Sequence, residues 1–440
     1  MNEMDSIYPC SEVGDIAAVT KLAGFEFTNY FEYLDEGRII ALRALNIKKG
    51  GFNLDNVKYI AEDISKKLPR SKLFKGELLI TYVGTIGQVA IVDRNDRYHL
   101  APNVAKLTFN KFAYPDYVFQ YLRSDFVISE YDRLVTTTSQ PALSMGNIRK
   151  IKIPLPDLCQ QQKIAKILST VDNLIEKTQT LIEKYTAIKK GMMVDLFTRG
   201  IDVTTSDTPN SKGGKLRPSV EDAPELYKQT ELGWVPKEWA VVNISDCVVR
   251  MKGGAAIKTH EFSSEGMGVI AKSDVTSSKY IDVGYRPQKI SHMAAKGYQR
   301  SFVDKDFVVV TLRDLVPSGP TVGMAARFDG EGEFILAQGT YGFLFNEELI
   351  EPDLFVEYTR QDWFRSKIRG MTVGSTQVHA RSSEYVNIAV PLPSITEQIE
   401  LLNRISSIDA NITSSEKQLE KLKLQKKGLM QDLLTGKVKL

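Results

Sequence analysis

The chain has 440 residues, too many for one ordinary core, so two or more domains are expected. Hydrophobic residues make up 42% and charged residues 25%, the balance of a soluble globular protein, and no stretch approaches 18 uninterrupted apolar residues, which excludes a membrane-spanning helix. A net charge of +3 is close to neutral, so charge alone does not single out nucleic acid; such binding would need local patches or partners that share it.

The first residues, Met1-Asn2-Glu3-Met4-Asp5, are acidic and polar, unlike a secretory signal. Cys10, Cys159 and Cys247 lie far apart and offer neither a disulfide framework nor zinc-ligand spacing. A reducing cytoplasm is the expected compartment. Along the chain, Leu78-Leu79-Ile80-Thr81-Tyr82-Val83 is a short β-rich run, and Gly84-Thr85-Ile86-Gly87 marks a turn into Val89-Ala90-Ile91-Val92. A helix opened by proline is expected from Pro115 to Tyr131. After Ile153-Pro154-Leu155-Pro156 the pattern turns helical. Ile164, Leu168, Val171, Ile175, Thr178, Ile182, Tyr185, Lys189, Met192 and Leu196 follow a 4-3 rhythm throughout. From Gly200 to about Tyr227, Thr, Ser, Asp, Lys, Gly and Pro predominate, the composition of a flexible linker. Val308-Val309-Val310-Thr311 is another β-rich run, and a second proline-opened helix is expected from Pro352 to Ile368. After Val390-Pro391-Leu392-Pro393 the same seam returns as Leu401, Ile405, Ile408, Ile412, Ser415, Leu419, Leu422, Lys426, Leu429 and Leu433.

The chain is therefore written twice, at an offset of 237 residues. Lys189-Lys190-Gly191-Met192-Met193 returns as Lys426-Lys427-Gly428-Leu429-Met430. Upstream, Pro115-Asp116, Tyr121, Arg123 and Asp125 match Pro352-Asp353, Tyr358, Arg360 and Asp362; Leu100-Ala101 matches Leu336-Ala337 one residue out of step. The C-terminal part of each half is kept while the rest has diverged. A seam this long calls for a helical partner, and the copy in the other half supplies it. Each helix is roughly 55 Å long. An antiparallel pair is preferred, and if the helices cross at their midpoints, Thr178 and Ser415 face each other as polar register marks.

Several chemistries lack their signatures. Gly253-Gly254-Ala255-Ala256-Ile257-Lys258-Thr259 is one residue short of a phosphate loop and has Ile257 where its second glycine belongs. The Asn-Pro-Pro-aromatic motif of adenine methyltransferases is missing, and neither Pro-Asp pair has a nearby Glu-x-Lys to complete a nuclease site. His99, His260, His292 and His379 stand apart and are expected to be structural or solvated.

Two divergent regions, each followed by Pro-Leu-Pro and a helix ending Lys-Lys-Gly-x-Met-x-Asp-Leu, resemble the specificity subunit of type I restriction–modification enzymes. The stretch Leu232-Gly233-Trp234-Val235-Pro236-Lys237-Glu238-Trp239 resembles the family's usual lead-in to a recognition domain. The first half departs from this pattern and begins abruptly near Tyr8-Pro9. The resemblance implies an α+β fold. Two tandem target recognition domains of mixed α and β structure, residues 1–158 and 228–395, would be joined by spacer helices 159–199 and 396–435 and a linker 200–227. The helices would form an antiparallel intramolecular coiled coil with pseudo-two-fold symmetry. It also implies a bipartite double-stranded DNA target and no catalysis or cofactor in this chain. Two modification subunits would bring S-adenosylmethionine, and restriction subunits would bring ATP and Mg2+. The competing expectations are a stand-alone DNA-modifying or DNA-cleaving enzyme with an unfamiliar site, and a coiled-coil adaptor that does not touch DNA.

Base edges and phosphates are read by Arg, Lys, Asn, Gln, Ser and Thr, usually from loops after strands. The expected DNA-binding residues of the first half are Arg43, Asn46, Thr85, Thr138, Ser139 and Gln140. Those of the second are Lys272, Ser273, Arg313, Ser375, Thr376 and Gln377. Gln140 and Gln377 recur and suit phosphate positioning; Arg43 and Arg313 diverge and suit base choice.

Overall fold

The computed structural model describes residues 6–48, 50–134, 142–206, 214–281, 283, 288–314, 318–374, 377–438 and 440. It divides into two compact units, Met1–Ile182 with Ser414–Leu440, and Glu183–Thr413. Both divisions fall near the middle of a long helix, Leu158–Thr198 or Ile395–Thr435.

The first unit is built on a four-stranded antiparallel sheet in the order Ala17–Lys21, Val104–Phe109, Leu78–Thr81, Val89–Ile91. Successive strand side chains point to opposite faces. Leu78 and Ile80 enter one apolar cluster and Leu79 enters another, so the whole strand is buried. That is why the sequence shows a continuous apolar run rather than an alternating one. A smaller sheet orders Lys58–Ile60, Ile39–Leu42 and Tyr98–Leu100, with the last two strands parallel.

The second unit repeats the plan. Its four strands are Val248–Gly253, Thr340–Phe345, Val308–Thr311 and Ala325–Arg327, all antiparallel. Val308 and Val310 face one cluster and Val309 the other. Its five-stranded sheet again holds one parallel pair, Met267–Ile270 beside Phe334–Leu336.

The expected proline-opened helices are each broken in two. Pro115–Leu122 is followed by Asp125–Leu134, and Pro352–Tyr358 by Asp362–Met371. At the breaks, the Ser124 hydroxyl donates to the Tyr121 carbonyl at 2.6 Å, and the Thr359 hydroxyl to that of Val356 at 2.8 Å. These local bonds give the backbone an alternative to continued helix.

Each unit holds an antiparallel crossing of the two long helices. In the first, Ile164 and Leu168 share a core with Leu433 and Leu434; in the second, Met193 and Leu196 share one with Leu401 and Ile405. One ion pair recurs with its partners exchanged: Lys426–Asp172 at 2.6 Å and Lys189–Asp409 at 2.7 Å. An antiparallel pair of duplicated helices demands this exchange. Thr178 and Ser415 are both buried, and the Thr178 hydroxyl turns back to the Leu174 carbonyl at 2.8 Å. The register of the ion pairs sets Thr178 against the turn around Leu419 and Ser415 against that around Ile182. The two hydroxyls therefore flank the crossing rather than meet in it.

The expected flexible linker, 200–227, is folded over most of its described length. Ile201–Ser206 pairs with Gly214–Leu216, and Ile201, Arg217 and Tyr227 are buried. The guanidinium of Arg217 grips Glu397 at 2.5 and 3.1 Å and Glu238 at 2.8 Å, and Glu397 also accepts the Ile201 amide at 2.7 Å. Polar composition concealed this because the partner of Arg217 lies 180 residues away.

The lead-in to the first domain has a counterpart after all. Cys10 pairs with Pro154 as Val241 pairs with Pro391, so Tyr8 occupies the place of Trp239. Both rings are buried. Tyr8 closes against the end of the second long helix, where the Ile7 amide donates to the Thr435 carbonyl at 3.0 Å.

Candidate nucleic-acid interface

In the first unit, three turns converge beyond the ends of the central strands. After Ile39–Leu42 the chain enters a short 3-10 turn, Ala44–Asn46. Asn46 is fully buried. Its side-chain oxygen accepts the Arg43 amide at 3.2 Å and the Arg43 Nε at 3.4 Å; its nitrogen donates to the Asn53 and Asn56 carbonyls at 3.0 and 2.8 Å. Asn46 therefore shapes the turn and presents nothing to a ligand, which corrects its expected role as a reader. Arg43 is half-buried. Its Nη2 donates to the Asn56 carbonyl at 2.8 Å, and its guanidinium lies 5.9 Å from the centroid of the Tyr33 ring.

The second turn joins Leu78–Thr81 to Val89–Ile91. The buried Thr81 hydroxyl donates to the Thr85 carbonyl and accepts the Gln88 amide at 3.0 Å. Gly87 there has φ +75°, and a Cβ on it would strike the Tyr131 ring at 2.4 Å. Thr85 itself is exposed. The third turn, Pro102-Asn103, follows the parallel strand, with Asn103 exposed at φ 70°.

The three turns enclose an open cleft of about 640 Å³, lined by Arg43, Lys48, Thr85, Gln88, Asn103 and Tyr33 among others. Among the described residues, no carboxylate lines it, while two cations and two carboxamides do. That composition suits phosphate oxygens and base edges. Arg43 and Thr85 are thus brought together. Gln88, Lys48 and Asn103 were missed by the sequence reading. The step in offset at Leu100-Ala101 would have flagged Asn103, because it aligns this residue with Gly339.

The second unit uses the same scaffold. Asp274 takes the place of Asn46, accepting the Ala271 amide at 2.8 Å. Lys272, half-buried, and Ser273, exposed, lie on the short turn Lys272–Asp274. Gly323, at φ +77°, matches Gly87 and abuts Ile368 as Gly87 abuts Tyr131. The Leu312 amide donates to the Gly339 carbonyl at 2.9 Å, as the Tyr82 amide does to that of Asn103 at 3.1 Å. Arg313 follows Leu312, and a Cβ on Gly339 would lie 3.0 Å from the Arg313 Cβ. Arg313 pairs with His379 and Asp314 with Val378, and Gln377, exposed, directly precedes that paired segment. Thr138, Ser139, Gln140, Ser375 and Thr376 lie outside the described residues.

The nearby titratable groups are structural. His99 is buried, with its ring nitrogens 3.0 and 3.3 Å from the Leu100 and Leu68 carbonyl oxygens, and burial lowers its pKa. Lys106 and Glu77 form a buried ion pair at 2.9 Å. Where the first domain meets the helices, Asp172 accepts from Lys426 at 2.6 Å, Gln120 at 2.8 Å and Arg123 at 3.0 Å. Burial pushes the Asp172 carboxyl up, but these donors outweigh it and hold the pKa below the usual value. The corresponding groups of the second unit are Asp409, Lys189, Glu357 and Arg360. Glu357 replaces Gln120, and burial, with Asp409 adding to it, raises its pKa despite Arg360 and Lys189.

Comparison with known proteins identifies this architecture. The family described as type I restriction modification DNA specificity domain matches residues 10–186 and 236–424. The chain belongs to this family. It is 30% identical over 304 residues to the type I restriction enzyme MjaVIII specificity subunit of Methanocaldococcus jannaschii. That match covers 69% of this chain and spans 65% of the relative's length. The putative MjaX specificity subunit of the same organism is 25% identical over 404 residues, covering 90% of this chain and 86% of the relative. In fold, the chain is similar to the crystal structure of the type I restriction–modification S subunit from M. genitalium, with a TM-score of 0.56 at 14% identity, covering 99% and 98% of the two chains.

Proposed function

We infer that this chain is the DNA specificity subunit of a type I restriction–modification enzyme and selects its target without catalysing a reaction. The supporting observation is a scaffold made twice and lined differently each time, in a chain of the DNA specificity family. The first recognition domain, residues 1–158, reads one half of a bipartite double-stranded site, and the second, residues 228–395, reads the other. Helices 159–199 and 396–435 hold the two readings in register. Arg43, Thr85, Thr138, Ser139 and Gln140 serve the first half-site; Lys272, Ser273, Arg313, Ser375, Thr376 and Gln377 serve the second.

Two modification subunits carrying S-adenosylmethionine dock on this chain, and restriction subunits add ATP- and Mg2+-dependent chemistry. The assembly works in the cytoplasm. Among the described residues, no helix is long and apolar enough to cross a membrane. Methylome sequencing of cells carrying the complete system tests this reading. The expected result is one methylated motif with two specified parts and an unspecified gap. A continuous motif, or methylation that persists when this gene is deleted, would overturn it.

A further inference from the structure

We propose that Asn103 is the base-choosing residue of the first cleft, that it selects adenine, and that Gln88, on the far side of strand 78–81 in the same cleft, takes a second contact. This rests on the reading of the cleft as a DNA site. The backbone of the Pro102-Asn103 turn needs a left-handed residue, and Gly339 fills the same place in the second unit at φ +95°. Glycine is the least strained choice there. The first unit instead carries a carboxamide and exposes it on the cleft. Asparagine tolerates this backbone better than most residues, which explains why it is allowed but not what it contributes.

Two further observations point to recognition. Among the described residues, the side chains of Asn103 and Gln88 have no hydrogen-bond partner, although both line the cleft. Arg43, the obvious reader, is largely committed: its Nε is held by Asn46 and its Nη2 by Asn56. A guanidinium fixed in this way acts as a placed cation, with less of its fork left for a guanine. A carboxamide, with a donor and an acceptor side by side, matches the N6 amino group and N7 of adenine in the major groove. The carboxamides are the groups in this cleft able to discriminate that base.

The test uses the full chain produced with the modification subunits of its own system, selecting from a pool of random duplex DNA at fixed salt. The wild type is expected to yield a two-part consensus. N103G should keep the fold, because the second unit runs glycine at this position, and its circular dichroism and unfolding midpoint check this. It should lose roughly tenfold or more of the preference for adenine at one position of one half-site, leaving the other positions unchanged. N103D, which presents acceptors alone, should move that position toward cytosine. Retained adenine preference in a folded N103G would overturn the proposal. So would uniform weakening on all sequences, which marks a backbone contact that carries no sequence information. A wild-type complex that selects no consensus would instead overturn the DNA reading itself.

Discussion

At the turn after the first parallel strand, one unit carries Arg43 over a buried Asn46, and the other carries Ala271 over Asp274. At the neighbouring strand end the arrangement reverses: Val83 lines the first cleft where the second unit has Arg313. The residues that bond inward have stayed equivalent in role, and those that face the cleft have not. This separation is what allows a duplicated reader to acquire two specificities: the side-chain-to-backbone bond that shapes the turn survives as Asn or Asp, while Arg43 gives way to Ala271 and Val83 to Arg313. The base of each unit differs too. Gln120 and Arg123 both bond Asp172, whereas Glu357 replaces the glutamine and Arg360 donates instead to the carbonyls of Ser277, at 3.1 Å, and Ser278.

The largest stability effect should come from breaking the better-made of these two junctions. D172A removes the carboxylate that Lys426 and Arg123 share, each with a side chain 13% exposed. It should cost about 2–3 kcal/mol, because two largely buried cations lose the carboxylate that binds both of them. D409A should cost less than about 1 kcal/mol, since that pair is more exposed and losing it also relieves Glu357. Urea unfolding of both variants measures the difference, and equal losses would show that the two junctions are energetically alike.

A smaller effect, of opposite sign, is expected from E357Q, which gives the second unit the amide of the first. The folded pKa of Glu357 is raised from its ordinary value of 4.5, so its protonated form is the one the fold accommodates. Its contribution is complete below pH 4.5 and is lost as pH rises through the folded value. E357Q should therefore raise stability by about 1 kcal/mol at neutral pH, a few degrees in unfolding midpoint, and flatten the wild-type decline above pH 4.5. Calorimetry across pH 4 to 8 reads both.

Much of the fold was legible because it is local or repeated. The 4-3 seam, the Pro-Leu-Pro signals and the offset of 237 residues placed both long helices to within a residue of their observed starts and ends. Asn46, three residues after Arg43, fits a turn-capping pattern in the sequence as well as a reader, and residue type alone does not separate the two roles. The cleft was less legible. Thr85, Gln88 and Asn103 line one cleft only because strands 78–81 and 104–109 pair, and nothing in the spacing of polar residues announces that pairing. The segment 200–227 misled for the same reason, since Arg217 is buried by Glu397 across 180 residues of sequence. Tyr8 in the place of Trp239 was hidden by the change of residue type and emerges only from the strand register.

Exchanging one recognition domain shows whether each half of the chain reads its own half-site. Residues 1–158 would be replaced by the matching domain of a relative of different specificity, and the methylome of cells carrying the complete system would be sequenced. One half of the methylated motif should change to that of the donor while the other half and the gap stay as they were. A motif changed in both halves, or in neither, would contradict it.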